Sequence, residues 1–148
     1  MESIYFTHGV KGKNECRLEF YHAGGQQLYV QLSGTGKGIC SDIPLDPDGI
    51  AKVIQVLRGD RESIDDGTGI FGKDIDEHKV FRLRHKVEPI SGYEFTSGYE
   101  FTIVTVADDT SGWKGEKDLI TFTATPSEAL ALQIALQGFL ASLLVTEY

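Results

Sequence analysis

Two helix starts constrain this chain more than any other feature. Asp46-Pro47-Asp48 supplies an N-cap, a proline at the first helical position and an acid at the positive helix end. Thr125-Pro126-Ser127-Glu128 is a capping box, again with proline at the first helical position. Pro47 and Pro126 stand 79 residues apart, and at the same offset Leu57 matches Leu136 and Gly59 matches Gly138. Each start follows segments that alternate apolar and polar residues. The predicted plan is strands followed by one helix, written twice.

In the first half, Cys16, Leu18, Phe20 and His22 alternate with Arg17, Glu19 and Tyr21. After a turn at Ala23–Gln26, Leu28, Val30 and Leu32 alternate with Tyr29 and Gln31, which predicts an antiparallel hairpin. A short strand around Ile39–Leu45 leads into the first helix. Its stripe of Ile50, Val53, Ile54 and Leu57 is apolar, its outer face carries Lys52, Gln55 and Arg58, and Gly59 ends it. In the second half, Val80–Val87, Tyr99–Ala107 and Asp118–Ala124 read as strands, with a turn at Asp108–Gly115 and a helix reaching about Leu144. The expectation is an α+β fold of antiparallel sheets and two helices. All 148 residues form one domain, with halves at about 1–59 and 80–148.

The formal charge of −8 is unevenly spread. Residues 1–59 balance six acids with six bases, whereas residues 60–79 hold seven acids against Arg61, Lys73 and Lys79. That stretch also contains Gly67, Gly69 and Gly72, and reads as an exposed connector between the halves. It is no EF-hand: with Gly67 as the loop glycine, Lys73 falls where the bidentate glutamate belongs. Hydrophobic residues at 41% and charged residues at 24% fit a globular chain rather than a disordered one. Two cysteines, Cys16 and Cys40, make neither a disulfide framework nor a C-x-x-C pair. With no leader pattern at the N-terminus, the expected location is cytoplasmic.

The second helix has no charge from Ala129 to Thr146. Gln133 and Gln137 interrupt its apolar run, which is also short for a membrane span. A helix apolar on most of its circumference is expected to be buried on more than one side. A homodimer formed through Leu132, Leu136, Phe139, Leu140 and Leu143 satisfies that need.

Few patterns carry chemistry. Ser-Gly-Tyr-Glu-Phe-Thr occurs twice in tandem, at Ser91–Thr96 and Ser97–Thr102. Six is even, so the extra copy keeps side-chain alternation if the strand lengthens; otherwise Ser97-Gly98 turns the chain. In the lengthened strand, Tyr93, Phe95, Tyr99 and Phe101 share one face. The turn of Gly34, Gly36, Lys37 and Gly38 lacks the spacing of a Walker loop, although its amides can hold an anion. His8, His22, His78 and His85 show no zinc spacing. No nucleophile motif is present, and neither a metal nor a cofactor is implied. Arg82, Arg84 and Lys86 form a positive row on the outer face of a strand whose other face holds Phe81, Leu83, His85 and Val87. Tyr21 and Tyr29 point outward from the first hairpin, where a base can stack. Glu19 and Glu100 are the cross-strand partners expected to pair with such a row.

The strand–helix plan, with Lys37-Gly38-Ile39, the Asp46-Pro47 start and the Leu57-Arg58-Gly59 ending, resembles the Whirly and Pur-alpha type of single-stranded nucleic-acid-binding domain. That resemblance implies sheet-face contacts to a single strand, falling here on Tyr21, Tyr29, Arg82, Arg84 and Lys86. The negative charge opposes a polyanion unless the basic row is set apart from the acidic stretch. The first expectation is therefore a non-enzymatic interaction module, self-associating and binding a protein or small ligand. The alternative is a weak single-strand nucleic-acid binder.

Overall fold

Alternating side chains and local capping account for most elements of the computed structural model, which describes residues 2–9, 15–22, 24–34, 39–71, 75–91, 94–109 and 114–144. The first sheet is an antiparallel meander of β1 (Ser3–His8), β2 (Cys16–His22), β3 (Leu28–Gly34) and β4 (Ile39–Leu45), in that order. Helix α1 (Pro47–Arg58) follows. The second meander consists of β5 (Ser63–Phe71), β6 (Ile75–Ser91), β7 (Glu94–Asp109) and β8 (Lys114–Ala124), and α2 (Pro126–Leu144) closes the chain. The fold is α+β, with each four-stranded sheet followed by one helix.

Both helix starts work as their sequences require. The Asp46 carboxylate accepts from Gly49 N at 2.8 Å, and Gly59 ends α1 in the left-handed region at φ 86°. At α2, Thr125 N donates to Glu128 Oε1 at 2.9 Å and Glu128 N donates to Thr125 Oγ1 at 3.2 Å, the reciprocal pair of a capping box.

Registers of both sheets send their apolar residues to one core. Leu18 lies opposite Leu32 and Phe20 opposite Val30, while Leu83 faces Phe101 and Phe101 faces Phe122. These residues are buried together with Ile50, Val53 and Leu57 of α1 and Ala129, Leu132, Leu136 and Phe139 of α2. The Phe20 and Phe101 rings meet edge to face at 6.2 Å, joining the sheets directly.

Two expectations change. The acidic stretch 60–79 is not a connector: it supplies β5 and the start of β6, and Ile64 is only 3% exposed in the shared core. Pairing with β6 overrides the turn tendency of Gly67, and Gly69 falls at the register shift between Thr68 and Ile70. The α2 residues assigned to self-association fill the chain's own core instead. Leu132 and Leu136 are fully buried and Phe139 is 4% exposed, with Leu140 and Leu143 packed against them. Leu130 and Ile134, at 56% and 62%, are exposed instead. His22 and His85 occupy inward registers and are exposed.

The tandem hexapeptide straddles a hairpin. Its first copy runs from the last residue of β6 into β7, and its second copy lies wholly within β7, so Ser97-Gly98 does not turn. The Tyr93 and Phe95 side chains lie outside the described residues, and Phe101 is a core residue rather than part of an aromatic platform. Gly98 is buried against β8, where an added Cβ would meet Thr123 Cγ2 at 2.9 Å and the Ala124 carbonyl oxygen at 3.1 Å.

Candidate functional site

The outward register of the first sheet gathers aromatic rings beside one guanidinium. Tyr21 and Tyr29 are direct cross-strand neighbours, and their rings stack with centroids 5.3 Å apart and planes 13° apart. Arg17, two register rows away on β2, places its guanidinium carbon 4.0 Å from the centroid of the Tyr5 ring. Tyr5 is 55% exposed, so β1 contributes a large open aromatic surface. Arg17 also lies 3.5 Å from Glu19, a half-exposed pair that adds little stability.

Asp42 of β4 completes this face. Its Oδ2 accepts the Tyr21 hydroxyl at 3.0 Å, and its Cα partner across the ladder is Gln31. Burial pushes the Tyr21 phenol up to about 12, and the bond to Asp42, with the nearby negative charges, acts in the same direction. Tyr21 therefore stays a neutral donor, with its ring held in place beside Tyr29. Lys79 Nζ donates to the Asp42 carbonyl oxygen at 3.4 Å, so Arg17 and Lys79 balance Glu19 and Asp42, and stacking rather than charge is the main resource of this face.

The second sheet carries the basic row. Arg82, Arg84 and Lys86 follow one outward register of β6, opposite Thr102, Glu100 and Gly98 of β7. Arg84 Nε donates to Glu100 Oε1 at 2.9 Å and Lys86 Nζ to Glu100 Oε2 at 3.2 Å, so one carboxylate bridges two cations. Burial raises the Glu100 carboxyl, but these two hydrogen bonds and charges outweigh it and hold it below the ordinary glutamate value. The row borders a shallow groove of about 420 Å³ lined in part by Ser63, Arg82, Arg84, Glu100, Thr102 and Thr121. Thr102 and Thr121 hydroxyls lie 3.3 Å apart on its floor.

The other expected positions separate from this face. Gly34 ends β3, while Gly36, Lys37 and Gly38 lie outside the described residues. His8 ends β1 and fastens it to α2: its Nε2 lies 2.8 Å from Glu128 Oε1, and its ring stacks on Phe122 at 4.3 Å. His22 meets the Phe139 ring at 5.0 Å, and His85 stacks on Tyr99 at 4.8 Å. No group of three or more His, Cys, Asp or Glu side chains could hold a metal ion among the described residues. Nor is any helix among them long and apolar enough to cross a membrane.

Sequence reasoning missed Tyr5, Arg17 and Asp42. Arg17 and Asp42 share the alternation that sent Tyr21 and Tyr29 outward, so period two alone could have found them. Tyr5 required the pairing of β1 with β2.

No protein-family model matches the sequence, and no curated protein does. Among solved structures, WHY1 from Arabidopsis thaliana is similar over 98% of this chain and 96% of its own, at TM-score 0.53 and 17% identity. The plant transcriptional regulator PBF-2 is similar over 95% of this chain and 83% of its own, at TM-score 0.54 and 16% identity. Both are Whirly proteins, so the resemblance noted from the strand–helix plan extends to the fold of nearly the whole chain.

Proposed function

We propose that this protein binds single-stranded nucleic acid on the outer faces of its sheets, with bases stacking on the first sheet. The observation that carries the reading is the outward-facing pair of ring contacts, exposed Tyr5 under Arg17 and half-buried Tyr21 stacked on Tyr29. Planar rings beside a guanidinium suit unpaired bases, because every base offers a π-face and Arg adds a cation–π contribution. Support also comes from the fold shared with a plant transcriptional regulator. It favours this reading over an unspecified protein or small-ligand partner.

The charge distribution shapes how such binding works. Arg82, Arg84 and Lys86 can meet phosphates, but Glu100 competes for two of them. Three phosphate contacts from this row give a logarithmic salt slope of about −2. Self-association, expected from the charge-free helix, belongs to the same reading but uses the face of α2 that carries Leu130 and Ile134. Light scattering tests it: the wild type should exceed monomer mass, and Ile134→Glu should return it to monomer.

The binding test is fluorescence anisotropy with a labelled single strand at low and moderate salt, competed with duplex. Saturable binding that duplex fails to displace supports the proposal. Absence of binding at low salt would refute it.

A further inference from the structure

Asp42 lies within reach of the Tyr21–Tyr29 pair, and its chemistry is selective. One oxygen accepts the Tyr21 hydroxyl at 3.0 Å. An ionised carboxylate offers about four lone-pair sites and no donor, so most of its accepting capacity is left for a ligand. Gln31 faces it directly across the ladder, and Tyr29 lies opposite Pro44, two residues further along β4. The stacked rings and the carboxylate are thus neighbours on one outward register, each half-buried.

We propose that Asp42 sets base preference: it accepts a hydrogen bond from the exocyclic amino group of a base stacked on Tyr21 and Tyr29, so cytosine-rich single strands bind better than thymine-rich ones. This rests on the stacking role assigned to the first sheet. Cytosine presents its N4 amino group where thymine presents the O4 carbonyl. A carboxylate attracts the first and repels the second. The two bases have single rings of similar size, so stacking alone separates them little. Gln31, whose amide can both donate and accept, lies directly opposite Asp42 across the ladder.

The experiment compares oligo(dC) and oligo(dT) of about twelve nucleotides, within the range of single-strand site sizes. Anisotropy titrations use the full chain and its Asp42→Asn variant, each verified as folded by circular dichroism. The wild type should prefer oligo(dC) about tenfold, the discrimination expected of one charge-assisted hydrogen bond. Asp42→Asn, whose amide can serve either base, should bring the ratio close to one. Binding of both strands with equal affinity by the wild type overturns the role of Asp42 and leaves single-strand binding standing. A preference that survives Asp42→Asn overturns it as well. If neither strand binds, the stacking role falls and the base preference falls with it.

Discussion

Replacing Glu128 with alanine tests how the first strand is fastened to the second helix. The Glu128 carboxylate accepts from Thr125 N at 2.9 Å and lies 2.8 and 3.1 Å from His8 Nε2. Losing the reciprocal capping bond costs about 0.5–1 kcal/mol. The side chains of His8 and Glu128 are 35% and 20% exposed, so solvent weakens their contact, which contributes about 0.5–1 kcal/mol. Together the substitution should cost about 1–2 kcal/mol, lowering Tm by roughly 3–6 °C in a domain of this size. The decisive assay is a double-mutant cycle with His8→Ala, read by urea unfolding followed by circular dichroism. His8→Ala also removes the stack on Phe122, so the single variants differ, but their coupling isolates the His8–Glu128 contact. Expected is a coupling of about 0.5–1 kcal/mol. Effects that add to within about 0.3 kcal/mol would refute the fastening through Glu128 and leave β1 held by β2, the Phe122 stack and the packing of Ile4 and Phe6.

Two further substitutions probe the sheets. Gly98→Ala should destabilise by about 1–3 kcal/mol, because its Cβ would press on Thr123 and the Ala124 carbonyl; unchanged urea unfolding would show that β8 can give way. By ultraviolet absorbance, Tyr21 should ionise near pH 12, and Asp42→Asn should move it back toward the ordinary value of 10.0. Since its folded value is the higher one, the stability linked to Tyr21 is complete below pH 10 and is lost as pH rises toward 12.

How much of this was legible in the sequence depends on how local the physics is. The helices were legible because Asp46, Pro47, Gly59, Thr125 and Glu128 act within one turn of their own backbone. The hairpin of β2 and β3 was legible because its apolar residues strictly alternate. Strand β5 was not: Asp65-Asp66-Gly67 has a turn composition, and only pairing with β6 makes it a strand. Strand β1 mixes exposed and half-buried residues and gains its place from β2 and from the His8 contact 120 residues away. For α2, an apolar circumference shows that much of the surface wants burial, without showing which side the chain's own core will take. Leu132 and Leu136 took it, leaving Leu130 and Ile134 outside. In the candidate site, Tyr21 and Tyr29 followed from alternation, as did the pairing of the basic row with Glu100. The Tyr5–Arg17 contact joins β1 to β2 and becomes visible only once their register is known.

The most direct measurement is the affinity of a short single-stranded oligonucleotide for the wild type and for the Tyr21→Ala/Tyr29→Ala double variant at the same low salt. Each stacked base is worth about 1–3 kcal/mol, so the double variant should bind at least about tenfold more weakly while unfolding cooperatively like the wild type. Equal affinity in a folded double variant would contradict the assignment of base stacking to the outer face of the first sheet.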